Sequence, residues 1–151
     1  MASLGFDLLD RHVVAGRADE PALLSDPRFT FARLLEHAAA VGGALTALGV
    51  TPASGFVLDL EPGVDHVVLL CACVRIGVVP GPESPFAARG GDAVTQVVVP
   101  GHDPIDLTTL RRAGSTDPAS ALAADVDGFR ERALREWSTV LEPLLDARAV
   151  G

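Results

Sequence analysis

Between Phe31 and Leu48 the apolar positions Phe31, Leu34, Leu35, Ala38, Val41, Ala44, Leu45 and Leu48 recur every three or four residues, the spacing of one buried helical stripe. Thr30 stands just before the stripe, where its hydroxyl can accept a proton from an orphan amide of the first turn. Gly49 stands just after it, where a left-handed residue closes a helix, and Val50 adds a last apolar contact. A shorter stripe of Leu4, Leu8, Leu9 and Val13 predicts a helix over 4–14 that Gly16 ends. At the other end, Phe129, Ala133, Leu134, Trp137, Val140, Leu141, Leu144 and Leu145 predict an amphipathic helix from Gly128 onward. Pro143 should kink or end that helix, because it has no amide proton to bond near Thr139.

The middle of the chain alternates strand and helix signals. Pro21–Ser25 reads as a short extended segment closed by a turn at Asp26-Pro27-Arg28, and Phe56–Leu60 as a strand covered on both faces. Pro62 sits well at the first position of a helix, which Val64, Val67, Val68, Cys71 and Val74 continue to Gly77. Val78–Pro80 predicts a strand opening and Gly81–Pro85 a loop. Val94–Val99 is the best β-branched run and predicts a central strand. Asp103 and Asp106 then start a helix through Leu107 and Leu110 to Gly114, and Asp117-Pro118 starts a short helical stretch to Leu122. The alternation predicts one α/β domain over 1–151, a small and mostly parallel sheet flanked by helices. Residues 127–146 are its C-terminal amphipathic helix, which caps the sheet or docks on a partner.

Composition narrows the picture. Hydrophobic residues are 48% of the chain and charged residues 21%, a balance that favours a packed core over disorder. All 12 basic residues are arginine, against 20 acids, for a net charge of −8. So acidic a chain, with its arginines interleaved among acids, is not expected to bind nucleic acid. The longest apolar run, Val67–Val74, is far short of the roughly 20 residues a membrane span needs, so no membrane insertion is expected. Asp7 and Asp10 stand where a secretory signal would be positive or apolar, which makes the cytoplasm the expected location. Cys71 and Cys73, two apart on a helix, point to different sides and read as buried thiols, not a disulfide or shared metal site.

Three stretches within 19–82 carry a further pattern. Thr30-Phe31-Ala32-Arg33-Leu34 opens an alanine-rich helix; Leu45 to Val57 follow with Gly49-Val50 and Ser54-Gly55-Phe56; Leu70 to Pro80 close it as Leu-Cys-Ala-Cys-Val-Arg-Ile-Gly-Val-Val-Pro. In order and spacing this resembles the N-terminal subdomain of adenylate-forming enzymes: acyl-CoA synthetases, related ligases and the adenylation domains of peptide synthetases. Ser54-Gly55-Phe56 departs from the Gly-Asp-Arg usual there, and little matches after Pro82. The resemblance implies a sheet like part of the N-terminal domain of an AMP-forming synthetase. It transfers a scaffold, because the matched residues are structural in that family. The family holds phosphate with a Ser/Thr/Gly-rich loop near a lysine and uses another lysine for adenylation, whereas this chain has no lysine. Gly114-Ser115-Thr116-Asp117 is too short for such a loop and lacks the cation. No cofactor is therefore expected.

Of the four histidines, His102 has the best functional case, since with Asp103 it follows the strongest strand, and open parallel sheets place ligands at strand ends. A local turn and helix cap explain the same pair without chemistry. His66 lies early in a helix near Asp65 and Asp59, which could hold it as a base; a solvent-facing or capping histidine is the plainer reading. Asp59, Glu61 and His66, or His102, Asp103 and Asp106, match no familiar metal spacing. Ser84 and Ser115 lack a nucleophile-elbow sequence, and Glu83 and Asp92 border the Gly/Pro-rich loop as a remote acid/base pair.

The expected protein is thus a truncated, non-catalytic acyl-CoA-synthetase-like chain with an accessory, regulatory or interaction role, bound to a protein partner or to itself as a homodimer. The first alternative is the N-terminal component of a split AMP-forming ligase whose other polypeptide supplies the ATP loop and lysine. The second is a small independent enzyme using His102 and nearby carboxylates.

Overall fold

The structure, a computed structural model, describes residues 2–151. A π-helical turn, Phe6–Asp10, runs directly into α1, Arg11–Val14, so the predicted N-terminal helix is present with its first turns widened. Then follow α2 (Phe31–Ala47), β1 (Val57–Asp59), α3 (Val64–Arg75), β2 (Ala87–Gly90), β3 (Thr95–Val98), β4 (Ile105–Asp106), α4 (Leu107–Gly114) and α5 (Phe129–Leu145).

Both ends of α2 are closed as its sequence indicates. Thr30 Oγ1 accepts from Arg33 N at 3.2 Å. After the last turn, Gly49 takes φ +100°, its amide donates to Thr46 O, and the amide of Val50 reaches back to Leu45 O. This pair of bonds satisfies carbonyls that the helix end would otherwise orphan. Gly77 closes α3 in the same way, through Gly77 N to Val74 O and Val78 N to Cys73 O.

Every residue of α3 from His66 to Arg75 is buried, which makes it the central helix of the molecule. α2 packs on it and is itself packed by α4, while the N-terminal helix lies against α2 and α5. Cys71 and Cys73 are both free and buried in α3; the apolar surroundings push the Cys71 thiol up to about 12 and raise that of Cys73 further, so neither forms thiolate at neutral pH.

Arg75, at the end of this apolar helix, is only 5% exposed. Its guanidinium donates through all three nitrogens: Nη1 and Nη2 to the two carboxylate oxygens of Asp10 at 2.6 and 3.1 Å, and Nε to Ala119 O at 2.6 Å. The N-terminal helix crosses α3 so closely here that a Cβ on Gly5 would lie 3.0 Å from the Arg75 Cα.

The sheet corrects the expected topology. Its order is β1-β2-β3-β4, but only β1 and β2 are parallel; β2–β3 and β3–β4 are antiparallel. A parallel pairing needs a crossover of a dozen or more residues, and α3 between β1 and β2 supplies the one that exists. Beyond β2 the chain reverses at Gly91, whose amide donates to Val94 O at 2.9 Å, and returns at once as β3. The predicted strand at Val78–Pro80 is not formed, and β2 comes instead from Ala87–Gly90, inside the stretch read as a Gly/Pro-rich loop. Ala-Ala-Arg-Gly has poor intrinsic strand preference; it is held by pairing on both sides, to β1 and β3.

Other boundaries shift for local reasons. Asp103 lies outside α4: Ile105 and Asp106 pair with Val97 and Gln96, and the helix begins only at Leu107. Asp117-Pro118 starts no helix, because Ala119 N is drawn onto Ala39 O at 2.8 Å. In α5 the backbone leaves helical values at Trp137 (φ −129°, ψ 31°), whereas Pro143 is accommodated within the helix. After α5 the chain turns at Ala147 and lies along Ala22–Leu24, with Leu24 N bonded to Val150 O and Val150 N to Ala22 O.

Two substitutions test these contacts. Arg75→Ala strips Asp10 of its buried partner and is expected to cost about 3–5 kcal/mol in urea denaturation. Ala147 has φ +56°, a left-handed conformation that costs an L-residue about 1–2 kcal/mol, so Ala147→Gly should raise stability by about 1 kcal/mol in the same assay.

Candidate functional site

Two clefts flank the first turn of α3. The first opens at the carboxyl ends of the parallel strands β1 and β2, the position where an α/β sheet ordinarily receives a ligand. It has a volume of about 770 Å³ and is lined by Asp59, Glu61, Asp65, Arg89 and Thr95 among others. Asp65 accepts a hydrogen bond from Thr95 Oγ1 at 2.6 Å. With carboxylates on Asp59, Glu61 and Asp65 against the single guanidinium of Arg89, the rim is net negative and repels phosphate groups.

The second cleft, about 670 Å³, lies between the start of α3 and the far half of α5. Leu23, Pro62, Val67, Val140, Pro143 and Val150 make its walls apolar. His66 and Trp137 both line it, packed against each other with ring centroids 5.7 Å apart, and the indole N–H donates to Pro80 O at 3.1 Å. His66 is 9% exposed and its Nδ1 is enclosed with no hydrogen-bond partner. Burial lowers its pKa, so the ring is neutral at physiological pH.

The carboxylates suggested as partners of His66 are not there. Asp59 lines the other cleft and Asp65 is engaged by Thr95. His102, Asp103 and Asp106 are all exposed, the first two on the turn between β3 and β4, and neither His102 nor Asp103 has a side-chain hydrogen bond to another described residue. Among the described residues, no three of His, Cys, Asp or Glu are grouped to hold a metal ion. Ser84 is a structural pin, donating to Ser54 O and accepting from Phe86 N, and Ser115 donates to Arg112 O. Glu83 and Asp92 are both exposed. The sequence reading overlooked Trp137 as a site residue. Its one available signal was that the chain's single tryptophan falls on the apolar stripe of the last helix.

The remaining histidines are structural. His12 is buried, Nε2 donating to Leu144 O at 2.6 Å and the ring standing edge-on to Phe31. His37 stands edge-on to Phe29. Desolvation is the main cause that lowers the pKa of each.

The geometry places helix α2, the β1-α3-β2 crossover and the glycine caps in one continuous block. A family model described as AMP-binding enzyme matches residues 10–90, more than half of the chain and that same block. The chain belongs to the AMP-binding enzyme family. The acyl-CoA-synthetase-like segment thus ends with β2, and the antiparallel strands, α4 and α5 lie beyond it. The chain is also similar to an uncharacterized protein of Pseudomonas aeruginosa, 31% identical over 104 residues, which cover 60% of this chain and 17% of that protein. This AMP-binding-family chain therefore spans well under two thirds of that relative's length. No helix in the described residues is long and apolar enough to cross a membrane.

Buried His12 and His66, with half-buried His37, set a pH dependence. Their folded pKa values lie below the ordinary 6.5, so the unfolded chain binds more protons in the interval between. Their contribution is complete above about pH 6.5 and is lost as the pH falls through the lowered values. The urea midpoint should accordingly drop between about pH 7 and about pH 5, and His66→Phe should flatten part of that slope.

Proposed function

We propose that this chain is a non-catalytic, acyl-CoA-synthetase-like protein of the cytoplasm with an accessory, regulatory or protein-interaction role, working against a protein partner or a second copy of itself. The observation that carries this reading is the acidic cleft at the carboxyl ends of β1 and β2. Beside the first turn of α3, this cleft presents three carboxylates, Asp59, Glu61 and Asp65, and a single side-chain cation, Arg89, where a phosphate site would present cations. The absence of lysine from the sequence supports the same reading, since a lysine is the usual point charge on a triphosphate.

A second reading is that the chain supplies one packing unit of a split AMP-forming ligase. It is favoured by the similarity to only 17% of a longer relative. Co-purification with a lysine-containing polypeptide, and pyrophosphate release from ATP only by the pair, would support it.

Titration calorimetry with magnesium-ATP separates the primary reading from an ATP-dependent enzyme. The isolated chain is expected to show no saturable heat, with any affinity weaker than about 1 mM. Micromolar binding, or activation of a carboxylic acid by this chain alone, would overturn the proposal.

A further inference from the structure

The cleft between α3 and α5 is built unlike the acidic one, and nothing in the family scaffold requires it: His66 comes from the matched segment, Trp137 from the helix beyond. We propose that it is a binding site for a neutral, largely apolar small molecule carrying a hydroxyl group, held against the wall that the His66 and Trp137 rings form together.

Three observations support the choice of ligand. The volume of about 670 Å³ is within the usual range for small-molecule sites, and the walls are mainly aliphatic and prolyl. His66 is more than nine-tenths buried on the cleft wall with Nδ1 unpartnered, and a buried polar atom without a partner is worth satisfying. The lining holds no arginine; its only acidic side chain is Glu136 at the exposed rim. Carboxylates and phosphates would therefore meet repulsion with no compensating cation.

A hydroxyl suits a neutral imidazole in either tautomer. It donates to the bare nitrogen or accepts from the protonated one, whichever rotation of the ring about its Cβ–Cγ bond turns toward the cleft. Trp137 supplies a flat apolar face, and its indole N–H is already committed to Pro80 O, so it makes no competing polar demand. This site is independent of the proposed accessory role: a chain that bound ATP at the acidic cleft would still possess it.

The test uses 4-butylcyclohexanol, butylcyclohexane and 4-butylcyclohexanecarboxylate as probes, each followed by the fluorescence of Trp137, the only tryptophan. The alcohol should bind saturably and about 10-fold more tightly than the hydrocarbon, the ratio one buried hydrogen bond provides. The carboxylate should bind most weakly. His66→Phe should erase the advantage of the alcohol while leaving the hydrocarbon unchanged, and the imidazole nitrogens of His66 should shift in NMR spectra only with the alcohol. Thr139→Phe, which fills the cleft from its exposed rim, should weaken all binding and serves should His66→Phe fail to fold. Absence of saturable alcohol binding, equal binding by His66→Phe, or preference for the carboxylate would each overturn the proposal.

Discussion

Arg75 carries a full positive charge where only 5% of the residue meets solvent, and the surrounding fold is arranged to answer it. An uncompensated guanidinium in that position would cost several kcal/mol, so the segments that reach it are held to one geometry. Asp10 brings the N-terminal helix, Ala119 brings the segment after α4, and the close approach at Gly5 leaves little freedom in how these meet α3. A second network does similar work further along. Asp7 and Asp125 both face Arg130, and Asp125 also accepts from the amide of Leu4, so the start of α5 is registered against the start of the chain. These polar contacts specify which apolar faces meet; the buried stripe of α2 and the wholly buried α3 supply the driving force.

The mixed sheet follows from connection length. One helix-sized crossover separates β1 from β2, and tight reversals separate the rest, so a single parallel pair is extended by an antiparallel flap. That arrangement also separates the two clefts by chemistry. The one at the parallel strand ends inherits charged residues from the strand tips and the first turn of α3. The other is walled by Leu23, Pro62 and Val67 of the matched family segment on one side and by α5 and residues 149–151 on the other, and is mainly apolar.

Local signals made much of this legible from sequence. Thr30 and the glycines at 49 and 77 marked helix ends because capping is decided by neighbouring residues, and the stripe from Phe31 to Leu48 marked a buried face because helical periodicity is a property of one segment. Ala87–Gly90 was illegible because its strand character resides in its partners, and Asp103 and Asp106 misled because β3 competed for Ile105 and Asp106. The His66–Trp137 cleft was hidden for the same reason on a larger scale. The two residues are far apart in the chain, and the contact depends on how α5 folds back past Pro80. The acidity at the strand ends, by contrast, was written openly in Asp59, Glu61 and Asp65.

The segment from Ser115 to Gly128 contains no regular secondary structure, yet it is fastened at intervals: Ala119 through both its amide and its carbonyl, Asp125 through Leu4 N and Arg130. Even Gly43 is pressed so near Asp117 O that a methyl group there would collide. Order in this protein is therefore not confined to helices and strands. A protease seeking a flexible foothold would find this irregular stretch poorly suited to it, because entering the enzyme's cleft would mean tearing several distant anchors loose together.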